Sequence, residues 1–250
     1  VRLTLRVWRQ QSARARGSFE TYLVTDATPE MTLLELLDRL NDQLVTQGLE
    51  PVAFDSDCRE GICGCCGIDV DGSPHGPLDN TPACEQHVRS FADGDTIVLE
   101  PFRSAGFPVV RDLVVDRSAL DRVIQAGGYV SVDAGTAPDA DALPVTTATA
   151  ETALDFAACT GCGACVSACP NGSAQLFTGA RLQHLALLPQ AQQERSSRAV
   201  AMIDEAERSF GPCSTFGECA IVCPAGIPLS AIATVGRERM RAFVLGRKRS

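Results

Sequence analysis

The stretch Cys58-Arg59-Glu60-Gly61-Ile62-Cys63-Gly64-Cys65-Cys66-Gly67 decides how this chain is to be read. It sets four cysteines within nine residues and intersperses glycine at 61, 64 and 67. A loop this short brings several thiolates to one centre only if its backbone folds back on itself. Glycine permits the dihedrals that such folding needs and leaves room beside the sulfurs. The intervals are Cys58-x4-Cys63-x2-Cys66, with Cys84 further along as a fourth donor. Disulfides require no such regularity, whereas metal centres do.

Four thiolates at these intervals match the plant-type [2Fe–2S] ferredoxin pattern, in which two irons share them. Cys65 is the surplus member. It neighbours Cys66 and is an alternative third ligand, but the spacing favours Cys66 and leaves Cys65 as a small packed thiol. A structural zinc site would use the same donors, and the three glycines and the long interval to Cys84 weigh against it. Outward from the loop, residues 1–8 and 18–25 alternate apolar and polar side chains and read as strands, as do 66–70 and 96–102. Thr32 stands as N-cap to a helix running to about Gln43, with Leu33, Leu34, Leu36, Leu37 and Leu40 on its apolar face. This order predicts an α+β chain that begins with a β-grasp domain of the plant-type ferredoxin kind.

The second half carries Cys159-x2-Cys162-x2-Cys165-x3-Cys169-Pro170 and, further on, Cys213-x5-Cys219-x3-Cys223-Pro224. The first is the bacterial ferredoxin run, whose fourth cysteine ligates the other cluster. Crossing over in this way assigns Cys159, Cys162, Cys165 and Cys223 to a [4Fe–4S] cluster. Cys169, Cys213 and Cys219 remain for the third centre. Where the first run has its central cysteine, the second has Phe216. A cubane corner without a thiolate readily loses its iron, so the expected product is [3Fe–4S], with the phenyl ring keeping water from the vacant corner. The alternative is a second [4Fe–4S] cluster with an oxygen ligand at that corner. The ligand sets use eleven of the chain's twelve cysteines, and only Cys65 is left over.

Around these runs the sequence reads as an all-α, ferredoxin-like domain. We place the boundary between the [2Fe–2S] domain, residues 1–108, and the helical domain, 109–250, at Pro108. Residues 135–151 read as a surface loop, helical pattern begins at Thr152, and a longer helix spans 191–209 before Gly211-Pro212. His75, His87 and His184 share no ligand spacing and read as surface or loop residues. The formal net charge of −9 argues against a nucleic-acid binder. No run of 18 or more apolar residues appears, which excludes a membrane-spanning helix. The opening VRLTLRVWRQ reads as a strand rather than a secretory leader, so a cytoplasmic setting is expected.

With these segments in view, the chain resembles the iron–sulfur subunit of succinate dehydrogenase and fumarate reductase along nearly its whole length. The resemblance rests on CREGICG (58–64), PVVRDLVVDRS (108–118), CTGCGACVSACPNGSAQLFTGA (159–180) and CSTFGECAIVCPAGI (213–227). It implies an electron relay with no acid–base or nucleophilic residue of its own. The N-terminal domain would dock on an FAD-containing flavoprotein that holds the dicarboxylate site. The helical domain would dock on a membrane anchor where quinone reacts, leaving the chain peripheral on the cytoplasmic face of the membrane. The order would run from [2Fe–2S] near the flavin, through [4Fe–4S], to [3Fe–4S] near quinone. Electron-transfer subunits of other flavoproteins, such as thiol:fumarate reductases, share the cysteine motifs and form the second reading. The tryptophan that often follows the position of Cys169 is absent from Pro170-Asn171-Gly172-Ser173-Ala174, and Ser214 replaces a frequent histidine. The usual quinone contacts therefore do not transfer to this chain.

Overall fold

The computed structural model describes residues 1–129 and 145–247. The N-terminal half is a five-stranded mixed sheet. β1 (Leu3–Arg9) pairs antiparallel with β2 (Ser18–Val24) and parallel with β5 (Thr96–Pro101). β3 (Ile68–Val70) pairs antiparallel with β5 and with the short β4 (Ser73–Pro74), giving the order β2-β1-β5-β3-β4. Strand alternation buries Leu3, Leu5 and Val7 from β1 with Ile97 and Leu99 from β5.

Helix α1 (Leu33–Thr46) lies over this face and buries Leu33, Leu34, Leu36, Leu37, Leu40 and Leu44. Each such leucine contributes about 1.5–3 kcal/mol relative to exposure. Its start is fixed by a reciprocal cap. Thr32 Oγ1 accepts from the Glu35 N–H at 3.3 Å, and Glu35 Oε2 accepts from the Thr32 N–H at 2.7 Å. Such a box is worth about 1 kcal/mol.

The segment PVVRDLVVDRS forms the hairpin β6 (Val109–Arg111) and β7 (Val114–Val115). Its turn residue Asp112 is 2% exposed and ties the hairpin to the sheet half. The carboxylate accepts from the N–H groups of Gln10 at 2.8 Å and Ala53 at 2.9 Å, and Arg9 Nε lies 3.3 Å away. Leu113 then enters the sheet-side core, while Val115 enters the helical one.

Beyond the hairpin the described chain is helical: α2 (Ser118–Gly127), α3 (Thr147–Ala157), α4 (Ala164–Ser167), α5 (Gln175–Leu187), α6 (Gln192–Ser209), α7 (Glu218–Ile221) and α8 (Ala231–Arg247). α2 packs on α6, and α5 packs between α3 and α8. Helical structure begins earlier than the sequence pattern indicates. Thr146 caps α3 by accepting from the Thr149 N–H at 3.2 Å, so 147–151 are helix rather than loop. Ala and Thr supply little periodicity there, and the cap is the signal that matters. Residues 135–144 of the expected loop lie outside the described residues.

Candidate metal centres

Cys58, Cys63 and Cys66 of the first set lie on the loop between α1 and β3. Arg59, Gly61 and Gly64 all have positive φ, at 57°, 71° and 72°. This curls the backbone so that its N–H groups converge on sulfur. Cys58 Sγ accepts from Glu60 at 3.4 Å, Ile62 at 3.4 Å and Cys63 at 3.3 Å. Cys84 Sγ accepts from Gly61 at 3.3 Å, and Cys63 Sγ from Cys65 at 3.4 Å. Donors aimed at sulfur favour thiolate. Those from Glu60, Cys63 and Ile62 bring Cys58 down to about 7.

Cys58, Cys63, Cys66 and Cys84 line one cavity of about 240 Å³. The same cavity reaches Thr160, Cys162, Pro224 and Ala225 of the helical half. The two loops are in direct contact there. A methyl group added at Gly64 would lie 2.8 Å from Thr160 O and 3.2 Å from Cys162 N. Only glycine lets them come this close.

Cys84 sits on a short 3-10 turn held by two polar residues that are fully enclosed. The Ala83 N–H donates to His75 Nδ1 at 3.2 Å, and the His75 ring stands edge-on to Phe102 at 5.3 Å. His75 lies in a turn, in keeping with its reading as a surface or loop residue, but at 1% exposure it is not on the surface. Its solvent is replaced by the Phe102 ring, and burial lowers its pKa to about 4, so it stays neutral. Gln86 is wholly buried and uses its amide to bind Leu78 O and Thr81 O at 3.1 and 3.3 Å, fixing the loop that leads to Cys84. Nothing in the sequence marked either residue.

In the helical half, Cys159, Cys162, Cys165 and Cys223 line a single pocket walled by Leu176, Phe177 and Ile227. Burial pushes the Cys162 thiol up to about 12, as it does Cys66 in the first set. A thiol in such surroundings keeps its proton unless a cation replaces it. Cys169, Cys213 and Cys219 form a separate group. Burial raises the Cys219 pKa first, and the charges of Cys169 and Cys213 raise it further. The second and third groups adjoin: Cys165 is raised by desolvation, then by Cys162, Cys159, Cys223 and Cys219.

Among the described residues, the one trio of donors all within 4.8 Å is Asp57, Cys63 and Cys65. None of the predicted sets brings three sulfurs that close. The N–H groups aimed at Cys58, Cys63 and Cys84 and the enclosed thiols of the second set suit anionic clusters. Cys65 Sγ lies within 4.8 Å of Cys63 Sγ.

Phe216 departs from expectation. It is 60% exposed, so within this chain its ring does not keep water from the third site. The short helix α7 beside it buries no residue, and Ile221 at 70% and Leu229 at 44% exposure complete an apolar surface there.

Comparisons with known proteins identify both halves of the chain as iron–sulfur domains. The family model described as a 2Fe-2S iron-sulfur cluster binding domain matches residues 4–122, and that of a 4Fe-4S dicluster domain matches 158–227. The succinate dehydrogenase iron-sulfur subunit of Bacillus subtilis (strain 168) is 31% identical, over 77% of this chain and 74% of that protein. This chain belongs to the succinate dehydrogenase and fumarate reductase iron–sulfur subunit family. As a member it is an iron–sulfur electron-transfer subunit within an oxidoreductase. The fumarate reductase iron-sulfur subunit of Wolinella succinogenes is 28% identical over 95% of this chain and 97% of its own length. A solved structure described as the Mycobacterium smegmatis Sdh1 complex in the apo form shares the fold of this subunit, with a TM-score of 0.68 over 97% of both chains at 20% identity.

Proposed function

We propose that this subunit holds three clusters in a line and relays electrons between a flavoprotein and quinone at a membrane anchor. The observation that carries this reading is the division of the cysteines into three adjoining groups. In it, Cys58, Cys63, Cys66 and Cys84 hold [2Fe–2S] in a β-grasp domain ending near Pro108. Cys159, Cys162, Cys165 and Cys223 hold [4Fe–4S], and Cys169, Cys213 and Cys219 hold [3Fe–4S], in the helical domain. The clusters supply one-electron transfer. The chain's own residues place them and aim N–H dipoles at their sulfurs.

The outer surfaces suit the proposed partners. At the first site the loop presents Ile62, 68% exposed, beside Arg59 and Glu60, a face for the flavoprotein. At the third, Phe216, Ile221 and Leu229 offer an apolar face of the kind a membrane anchor would cover. That contact would also seal the exposed corner beside Phe216 and set the subunit peripherally on the cytoplasmic face of the membrane. Among the described residues, no helix is long and apolar enough to cross a membrane.

EPR of the purified protein, oxidised and then reduced, tests the reading together with iron and sulfide analysis. The expected result is a [3Fe–4S] signal when oxidised, further signals on reduction, and about nine irons per chain. An oxidised sample without signal and with about ten irons would overturn the assignment of the third site.

A further inference from the structure

We propose that Arg117 is a positioning residue for electron transfer between the first and second centres, binding both cysteine loops and placing a fixed positive charge between them. The inference rests on the ligand sets proposed above. Arg117 stands at the junction of the β6–β7 hairpin and α2. Its flanks Val115, Ala119 and Leu120 are buried in the helical core, so the side chain reaches out from a fixed base. Nη1 donates to Gly64 O and, at 3.0 Å, to Cys162 O. Nη2 donates to Cys65 O at 3.4 Å. One guanidinium thus joins carbonyls from both loops at the place where Gly64 touches Thr160 and Cys162.

One of these carbonyls belongs to a peptide that faces the first centre. The Gly64 carbonyl and the Cys65 N–H share one peptide unit, and that N–H donates to Cys63 Sγ at 3.4 Å. Arg117 therefore polarises a peptide whose other end points at a first-set sulfur, and chained hydrogen bonds strengthen one another. Beside these carbonyls the guanidinium also faces the Cys65 side chain, and the Asp55 carboxylate feels its charge without bonding to it. Among the described residues no carboxylate forms an ion pair with the guanidinium, so its charge is not cancelled by one at contact distance. Arginine stays charged at any working pH and its planar fork suits several acceptors at once. Reduction adds negative charge to either centre. A cation between them favours the reduced form of both and so raises both potentials.

The test is an EPR-monitored redox titration of the full chain carrying its clusters, as wild type, Arg117→Gln and Arg117→Lys. In Arg117→Gln the first and second centres should each become harder to reduce, by on the order of tenfold in the equilibrium constant, or about 59 mV for one electron. The third centre should hold its potential. Arg117→Lys keeps the charge and should hold all three potentials within a few-fold. A role in packing alone would leave all potentials where they are. Unchanged potentials in Arg117→Gln, or an equal fall at all three centres, would overturn the proposal. Should Arg117→Gln fail to assemble its clusters, Arg117→Met, which keeps much of the length without the charge, is titrated in its place: the same fall at the first two centres is expected, and unchanged potentials overturn the proposal. Failure of the ligand reading would show separately, as missing signals in the wild-type protein.

Discussion

The two cysteine runs of the helical half share one backbone course and differ in the side chain that, in the proposed assignment, separates their clusters. Each position of the first recurs 54 residues later: Cys159 with Cys213, Cys165 with Cys219, Cys169-Pro170 with Cys223-Pro224. The dihedrals recur with them. Gly161 and Thr215 have φ of 71° and 56°, Gly163 and Gly217 of 90° and 102°, Gly172 and Gly226 of 61° and 63°. A one-turn helix follows the second of these positions in each run. The turn after the last cysteine also repeats, with Gly172 donating to Cys169 O at 2.8 Å and Gly226 to Cys223 O at 3.1 Å. Against this sameness, Cys162 is buried and its counterpart Phe216 is 60% exposed. The backbone thus makes two equivalent cradles, and ligand number alone separates the clusters proposed for them.

The substitution that should erase this difference is Phe216→Cys. The loop already has the dihedrals that place Cys162, so the new thiolate meets a prepared corner. The expected result is near-complete loss of the oxidised [3Fe–4S] EPR signal and a rise from about nine to about ten irons per chain. Persistence of the signal at full strength would mean that the two cradles differ in more than this side chain.

This repeat was legible in the sequence because cysteine and proline mark it without reference to burial. The leucine face of α1 and its Thr32 cap were legible for a similar reason, since period and cap chemistry are local. What stayed hidden depends on tertiary surroundings. His75 and Gln86 are polar, and only the packing of Phe102 and the loop around Thr81 make them interior. Phe216 reads as a buried residue by type, yet it lies on a surface that α7 leaves open. Arg117 was visible within PVVRDLVVDRS, but its partners Gly64 and Cys162 lie 53 and 45 residues away in sequence.

A second pair of substitutions asks how evenly the cradles are supported. Gly163 and Gly217 hold the same left-handed φ, so alanine at either costs similar backbone strain, of order 1–3 kcal/mol. Their surroundings differ. A methyl at Gly163 would lie 2.8 Å from the ring of buried Phe107, whereas one at Gly217 meets only Leu229 Cδ2, at 3.9 Å. Phe107 is itself held edge-on against Phe210 at 5.9 Å and has little room to retreat. Gly163→Ala should therefore cost about 1–3 kcal/mol more than Gly217→Ala. The check is the guanidinium concentration at which cluster absorbance bleaches, which should fall further for Gly163→Ala. Equal bleaching would show that the helical core yields at Phe107.

The smallest expected effect concerns Thr215, which occupies the place of Gly161. Both positions aim an N–H at the preceding cysteine: Thr215 donates to Cys213 Sγ at 3.4 Å, and the Gly161 N–H likewise favours the Cys159 thiolate. The geometry is useful in both runs, but a β-branched residue pays for it with about 1–2 kcal/mol of left-handed strain. Thr215→Gly removes that strain. Against the gain stand the extra freedom of glycine in the unfolded chain, about 0.5–1 kcal/mol, and the loss of an exposed hydroxyl bond to Ser214 O at 2.8 Å. The balance is a stabilisation of roughly 0.5 kcal/mol, whereas Gly161→Ala should destabilise by about 1 kcal/mol, since its methyl meets only Phe177, at 3.5 Å. Opposite shifts in the bleaching midpoint would confirm that the two loops share one conformation. A destabilised Thr215→Gly would show instead that the Thr215 side chain supports the third site in a way that glycine cannot replace.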